Sequence, residues 1–285
     1  TELKDCLTDV AGLAVGHFTH PDRATGCSVV LCPQGVPCGV DVRGGAPGTR
    51  ETDLLRPEKL VDRVHALLLA GGSAFGLDAA GGVMRWLEAQ GHGYAVGTVR
   101  VPIVPAAVIF DLWRGELSIR PDAAAGHAAC AAASSVPPPQ GSVGAGAGAT
   151  VGKLFGIERA MAGGLGMASL RVNGITVAAL MVVNASGDIV DPASAQIIAG
   201  ARRSASSLHL QRSRESLLRG EVPERLQAGM ATTIGVVATD AVFDKTACTQ
   251  LATMAHDGLA RCIEPAHTPF DGDTLFALAT CAAGR

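Results

Sequence analysis

Aromatic and charged side chains are both scarce in this sequence of 285 residues. It contains two Trp, one Tyr and seven Phe, and Asp, Glu, Lys and Arg together make up 17% of it, against about 25% in an average protein. Few aromatic rings leave few platforms on which a base or a sugar stacks. The formal net charge of −3 reflects no basic excess, so a nucleic-acid binder is not expected.

Long apolar runs and paired cysteine motifs are missing as well. No run approaches the roughly twenty apolar residues of a membrane span, and residues 1–5 lack the organisation of a signal peptide, so we expect no membrane partner. None of the eight cysteines forms a Cys-x-x-Cys pair, which favours buried, reduced thiols in a cytoplasmic protein over a disulfide or zinc framework. His17, His20 and His256 match no two-ligand zinc spacing. We therefore expect no metal and no cofactor.

Glycine, in contrast, is abundant. The chain has 36 glycines, where the average usage of about 7% predicts about 20. Because 48% of the residues are hydrophobic, this excess does not indicate disorder. It indicates backbone positions with positive φ, or places where two chain segments approach closely.

Apolar periodicity predicts strands interleaved with helices. Asn173-Gly174 between two apolar runs predicts a type I′ hairpin turn, while Ser73 and Asp244 are expected to cap helices and Gly91 to end one. An Arg-rich stretch at 200–230 is predicted to be exposed, partly helical and mobile. This order indicates an α+β protein with sheets between helix layers. The predicted strands are 26–32, 38–42, 64–70, 101–112 (an edge or irregular strand, because of two prolines), 167–172, 175–183, 232–239 and 273–280, and the predicted helices are 74–90, 122–133 and 244–262.

The boundary between residues 231 and 232 is unusual. The Arg-rich stretch ends abruptly near Thr232, a hydroxyl residue that opens an apolar strand. If the bond before Thr232 were cut, its new α-amine, with an unperturbed pKa of about 8, would suit a general base near neutral pH. Thr232 would then be an N-terminal nucleophile that supplies both the attacking group and the base. An ordinary strand threonine is the structural alternative, and Thr233 is a neighbouring candidate.

Seven segments together carry a family resemblance that covers nearly the whole chain. The chain resembles the L-aminopeptidase/D-alanine esterase-amidases, β-aminopeptidases and nylon-oligomer hydrolases. The nylon-oligomer branch is the most similar, because the nucleophile position is Thr and the C-terminal motif is Phe-Asp-Gly-Asp-Thr. The segments are TDVAGLAVGH (8–17), VRGGAPGTRETD (42–53), ALLLAGGSAFGLDAA (66–80), VGAGAGATVGKL (143–154), MVVNASGDIVDP (181–192), TTIGVVATDA (232–241) and FDGDTLFALAT (270–280).

The resemblance implies a fold and a processing event. The fold is a four-layer αββα sandwich of the aminopeptidase and ornithine acetyltransferase type. The chain is expected to be a single hydrolase domain, 1–285, that cuts itself between Ala231 and Thr232 into a large subunit (1–231) and a small subunit (232–285). A homotetramer of processed protomers is implied too, with small peptides, amino-acid amides or ω-amino-acid oligomers as substrates.

The resemblance also assigns roles to individual residues. Thr232 is the expected nucleophile, and Asp271 and Asp273 match an acidic pair that orients its ammonium and hydroxyl groups. Asn184 matches an asparagine whose amide donates into the oxyanion hole. Lys153 matches a lysine whose charge lowers the pKa of the Thr amine or holds a substrate carboxylate. The structural alternatives are a plain turn for the Asp-Gly-Asp segment, a strand-ending turn for Asn184, and a solvated Lys153.

Two positions depart from the family pattern, and two other functions remain open. Ala231 stands before the expected cut, where relatives often have Asn or Gly. Phe110 stands where the family has a tyrosine, so the substrate pocket keeps a ring but loses a hydroxyl donor. An acyltransferase of the ornithine acetyltransferase kind would use the same Thr ester and pass the acyl group to an amine. An unprocessed, non-catalytic homologue would serve in ligand binding or structure.

Overall fold

The computed structural model describes residues 2–224 and 229–284. Sixteen strands and four α-helices lie in those two ranges. The strands are β1 (Ala14–Thr19), β2 (Gly26–Val42), β3 (Thr49–Arg50), β4 (Arg63–Ala70), β5 (Tyr94–Val96), β6 (Val99–Val101), β7 (Ala106–Val108), β8 (Thr150–Val151), β9 (Met161–Ala162), β10 (Gly164–Val172), β11 (Ile175–Asn184), β12 (Asp188–Val190), β13 (Ile197–Ala199), β14 (Thr232–Thr239), β15 (Ile263–Glu264) and β16 (Thr274–Ala279). The helices are α1 (Ala79–Ala89), α2 (Ala123–Ala131), α3 (Ser213–Leu218) and α4 (Lys245–Cys262).

The long strand β2 connects the two halves of the main sheet. Its first half pairs with β1 and β4, and its second half pairs with β16. The hydrogen-bonded order is β10-β11-β14-β16-β2-β4-β7-β3, with β1 attached to β2. The prediction of two separate strands at 26–32 and 38–42 was therefore wrong. The prolines and the positive-φ Gly35 between them produce a register irregularity between Leu31 and Val36 rather than an end to the strand.

The two halves of this sheet face each other across the main core. That core joins Leu67 and Leu69 of β4 to Leu180 of β11, Ile234 of β14 and Phe276 of β16. The outer face of the β4 half is covered by α1 and α2, and the outer face of the β16 half by α4. The order of layers is helix, sheet, sheet, helix, so the predicted four-layer αββα sandwich is confirmed.

Several local predictions are confirmed at the ends of elements. The Asp244 side chain accepts a hydrogen bond from the Ala247 N–H at 2.8 Å and caps α4. Asn173 and Gly174 both have positive φ, 50° and 77°, as a type I′ turn between β10 and β11 requires. Gly91, with φ of 75°, follows the end of α1.

One local prediction was wrong, and another was right only in part. Ser73 does not cap a helix, because it has φ of 55° and begins a 3₁₀ turn, Ser73–Asp78, that leads directly into α1. In the predicted strand 101–112, Pro102 and Pro105 interrupt the pairing. Residue 101 is the last residue of β6, and the remaining part of the segment contains one short strand, β7 (Ala106–Val108). The segment is therefore irregular, as one of the two predicted alternatives has it. It is not an edge strand, because β7 lies between β4 and β3.

The Arg-rich stretch is partly helical and largely exposed, as predicted, and α3 is its helix. The buried Asp188 anchors it by accepting hydrogen bonds from the Ser213 N–H at 2.7 Å and from the Ser213 hydroxyl at 2.9 Å. Its predicted mobility stays a prediction, and residues 225–228 lie outside the described residues. Across the described ranges, none of the helices combines the length and apolarity needed to span a bilayer.

Candidate active site

Strand pairing brings the predicted site residues to one end of the β16 half of the sheet. Thr232, the first residue of β14, lies opposite Asn184, the last residue of β11. On its other side β14 runs parallel to β16, and an isolated bridge between Ala231 and Asp271 continues this pairing beyond the strand ends. The ends of three neighbouring strands therefore place Thr232, Asn184 and the Asp271–Asp273 segment together.

The Thr232 hydroxyl lies against the carbonyl group that precedes it. Thr232 is buried, and its Oγ1 donates a hydrogen bond to the Ala231 carbonyl oxygen at 2.5 Å. The Gly272 N–H donates to the same oxygen at 3.2 Å. The carbonyl of the predicted scissile bond is thus polarised by two donors and has a hydroxyl oxygen beside it.

The two aspartates are buried and differently bound. Asp271 accepts hydrogen bonds from the Thr268 N–H at 2.7 Å and from the Ser186 hydroxyl at 3.3 Å. Burial, and then the charge of Asp273, raise the pKa of Asp271 above its usual value. Asp273 accepts from the Thr233 N–H through Oδ1 at 2.6 Å. The aspartates therefore lie on the same side of β14, beside the start of the strand.

Lys153 is fully buried, so the alternative of a solvated lysine is wrong. Its ammonium donates to the Thr150 carbonyl at 2.7 Å, to the Asn184 carbonyl at 2.8 Å and to Asn184 Oδ1 at 3.0 Å. Burial lowers its pKa from 10.5 to about 7, although Asp271 acts in the opposite direction. Lys153 is therefore a group that gains or loses its proton near neutral pH.

The Asn184 side chain is oriented by the groups around it. Its Oδ1 accepts from Lys153 and from the N–H of Thr150, the latter at 3.0 Å. Its Nδ2 donates to the Phe110 carbonyl oxygen at 3.1 Å. Because donors surround Oδ1 and an acceptor faces Nδ2, only one assignment of the amide fits. An amide nitrogen carries two hydrogens, and the contact with Phe110 uses one of them.

A small cavity of about 200 Å³ opens beside Thr232. Phe110 lies on its wall, and its ring packs edge-to-face against Trp113, with 5.1 Å between the ring centroids. No charged side chain lines this cavity among the described residues. A larger apolar groove of about 510 Å³ between α4 and β11 lies away from these groups. The small cavity is lined by Ala46, Pro47, Gly48, Ser73, Ala74, Val108, Ile109, Phe110, Gly229 and Thr232.

Comparison with known proteins identifies the family. The model of peptidase family S58 matches residues 5–285. The chain belongs to peptidase family S58. It is 49% identical to an uncharacterized aminopeptidase of Mycobacterium tuberculosis, over 97% of this chain and 81% of that protein. It is 33% identical to a 6-aminohexanoate-oligomer endohydrolase of a Kocuria species, over 95% of this chain and 74% of that protein.

Two solved structures share the fold. The L-aminopeptidase D-Ala-esterase/amidase of Ochrobactrum anthropi, described as a variant of the Ntn hydrolase fold, matches with a TM-score of 0.70 and 19% identity, over 97% of this chain and 74% of that one. A β-aminopeptidase of a Burkholderia species matches with a TM-score of 0.65 and 23% identity, over 97% and 72% of the two chains. The predicted family resemblance is thus confirmed, and this S58 protein is a hydrolase of the peptidase or amidase type.

Sequence reasoning missed four groups that contact the site of this S58 chain. The Gly272 N–H reaches the Ala231 carbonyl, Ser186 reaches Asp271, and Thr150 binds both Lys153 and Asn184. His267 is the fourth, with its Nδ1 2.7 Å from Asp273 Oδ2. Three of these residues lie inside the family segments quoted above: Gly272, Ser186 and Thr150. His267 lies three residues before the segment 270–280. The polar groups in and next to these segments were therefore the signal in the sequence that could have identified them.

Proposed function

We propose that this S58 hydrolase activates itself by cutting the bond between Ala231 and Thr232 and then hydrolyses small amides with Thr232 as nucleophile. The observation that carries the proposal is the 2.5 Å contact between Thr232 Oγ1 and the Ala231 carbonyl oxygen. The products would be subunits 1–231 and 232–285. Short peptides, amino-acid amides or ω-amino-acid oligomers are the proposed substrates, since relatives include an aminopeptidase and a 6-aminohexanoate-oligomer endohydrolase.

The proposed cut begins with an acyl shift. Thr232 Oγ1 attacks the Ala231 carbonyl carbon, and the hydroxyl proton passes to the amide nitrogen as the C–N bond breaks. The Gly272 N–H supports the negative charge that develops on the carbonyl oxygen. The resulting ester between Ala231 and Thr232 is hydrolysed by water, which releases the Ala231 carboxylate and leaves Thr232 with a free α-amine and its hydroxyl.

The same groups then serve amide hydrolysis. The Thr232 α-amine takes the hydroxyl proton while Oγ1 attacks the substrate carbonyl, and the leaving amine receives that proton as the C–N bond breaks. Water then hydrolyses the ester between the acyl group and Thr232, which releases the acid and restores the hydroxyl. The remaining N–H of Asn184 Nδ2 donates to the substrate oxyanion, a contribution of about 3 kcal/mol in comparable sites. Asp271 and Asp273 offset the positive charge of the protonated Thr232 amine. Lys153 holds Asn184 in place, and its own charge lowers the pKa of that amine. The Phe110 ring packs against the acyl group in the cavity.

The test compares the intact masses of wild type, Thr232→Ala and Thr233→Val after purification. We expect the wild type to be cut, with Thr232 at the N-terminus of the small fragment, and Thr232→Ala to remain a single chain without amidase activity. Thr233→Val is the matched control for the neighbouring register and is expected to be cut. A cut that persists in Thr232→Ala, or an intact and inactive wild type, contradicts the proposal.

Product analysis separates hydrolysis from acyl transfer. With a small amide substrate, a hydrolase releases the free acid whether or not an amine acceptor is added. An acyltransferase of the ornithine acetyltransferase kind would instead form a new amide with that acceptor. We expect the free acid as the main product in both conditions.

We also propose that the processed protomers assemble as a homotetramer. The support is the family resemblance of the seven sequence segments. Sedimentation velocity on the wild type and on Thr232→Ala tests it. Four protomers per particle in the cut wild type is the expected result, and a monomer contradicts the proposal.

A further inference from the structure

The Asp273 carboxylate is held at both of its oxygens. Oδ1 accepts from the Thr233 N–H at 2.6 Å. Oδ2 lies 2.7 Å from His267 Nδ1 and 3.3 Å from the His267 backbone N–H. The orientation of the Asp273 carboxylate relative to the start of β14 therefore depends on His267.

His267 is itself held in a defined place. It has φ of 54°, a conformation that is uncommon outside Gly but that His, Asn and Asp adopt more readily than most residues. Its ring packs edge-to-face on the His256 ring of α4, with 4.9 Å between the centroids. Its Nε2 lies 3.5 Å from the His256 carbonyl oxygen. Both ring nitrogens thus face acceptors, which is the arrangement that suits a doubly protonated imidazolium.

The contact with Asp273 favours the protonated form of His267. The hydrogen bond to Asp273 raises the pKa of His267 above its usual value, whereas burial lowers the pKa of His256. An imidazolium at His267 and a neutral imidazole at His256 therefore fit the same local arrangement. The other titratable groups around the pair are Asp271 on the same loop, Asp41 and Arg43 at the end of β2, Asp257 on α4, and Lys153 beyond Asp271.

We infer that His267 is the positioning residue of Asp273, fixing the carboxylate so that it faces the strand start where the Thr232 α-amine forms. This inference rests on the proposed function, because Asp273 acts there beside the new ammonium. Asp273 Oδ1 already binds the backbone N–H one residue further along. Without His267, the carboxylate is free to rotate away from the strand and to bind other donors.

The experiment measures kcat/KM for a small amide against pH in wild type, His267→Ala, His267→Asn and His127→Ala. His127 is exposed on α2, so His127→Ala is the control for losing a histidine. Asn is the conservative replacement, because it adopts positive φ more readily than Ala and its amide N–H replaces the Nδ1–H donor. Thermal unfolding of each variant shows whether the fold is kept.

We expect His267→Ala to lose about tenfold or more in kcat/KM at pH 6, as for one charge-assisted hydrogen bond, and less above the pKa of His267. His267→Asn should recover part of the rate without that pH dependence, and His127→Ala should match the wild type. A wild-type pH profile in His267→Ala overturns the inference. So does an equal loss in both His267 variants at every pH.

A second readout does not depend on amide hydrolysis. NMR titration of the imidazole in wild type and Asp273→Asn should show the His267 pKa above 6.5, the usual value, in the wild type and lower in the variant. A His267 that titrates at or below its usual pKa in the wild type overturns the inference. An inactive wild type with a raised His267 pKa that falls in Asp273→Asn contradicts the proposed function alone, because the contact with Asp273 is then intact.

Discussion

The protonation state of Lys153 predicts how the free energy of unfolding changes with pH, and this can be measured without any catalytic assay. Its ammonium has three carbonyl or amide oxygens within 3.0 Å, yet complete burial lowers its pKa to about 7 from 10.5. Between these two values the unfolded chain binds a proton that the folded chain has lost. Stability contributed by this site therefore rises with pH in that window, and it is lowest below pH 7, where both states are protonated.

The perturbation is Lys153→Met, which keeps the length of the side chain and removes the charge. Both proteins carry Thr232→Ala, so that a single continuous chain is compared. One pKa unit corresponds to 1.36 kcal/mol, and half of the folded molecules keep the Lys153 proton at pH 7. Between pH 7 and pH 9, the free energy of unfolding of the protein with Lys153 should therefore rise by about 2 kcal/mol relative to that of the Lys153→Met variant.

The assay is urea unfolding at pH 7, 8 and 9, followed by tryptophan fluorescence. Lys59→Met, at an exposed position, controls for the loss of one lysine. At fixed pH, Lys153→Met also leaves the Thr150 carbonyl without its Lys153 donor, so the change with pH, not the absolute difference, is the diagnostic quantity. A constant difference between the two proteins from pH 7 to pH 9 refutes the reasoning, since Lys153 would then keep its proton in the folded state.

Two further predictions concern α1 and α4. A Cβ at Gly82 would lie 1.8 Å from the Ala123 carbonyl oxygen, whereas a Cβ at Gly81 meets nothing closer than 3.8 Å. Urea unfolding should therefore show that Gly82→Ala is destabilised by about 1–3 kcal/mol and that Gly81→Ala is stabilised by about 0.5–1 kcal/mol. Equal effects of the two substitutions would contradict the close approach of α1 and α2. Asp244→Ala should lower the thermal midpoint through a loss of about 1 kcal/mol, and Asp244→Asn, which keeps an oxygen for the Ala247 N–H, should lose much less; equal losses would exclude the cap as the cause.

Local patterns predicted what short segments decide by themselves. Asp244 caps its helix, Asn173-Gly174 forms its turn, and the strand at 232–239 has the predicted bounds, because side-chain spacing and backbone preference act within a few residues. The burial of Lys153 and the contact of His267 with Asp273 do not follow from such spacing. They depend on which strands become neighbours, and β11, β14 and β16 meet through pairings between distant segments of the chain.

The glycine excess is connected to the site through backbone packing. A Cβ at Gly272 would lie 2.4 Å from the Ala46 carbonyl oxygen, and a Cβ at Gly44 would lie 2.3 Å from the Asp271 carbonyl oxygen. The segment 43–48 therefore lies directly against the backbone of 271–272, and only glycine permits this distance on both sides. Since the Gly272 N–H faces the Ala231 carbonyl, this contact determines where that donor lies. The glycines thus position the Gly272 N–H beside the hydroxyl and charged side chains of the site.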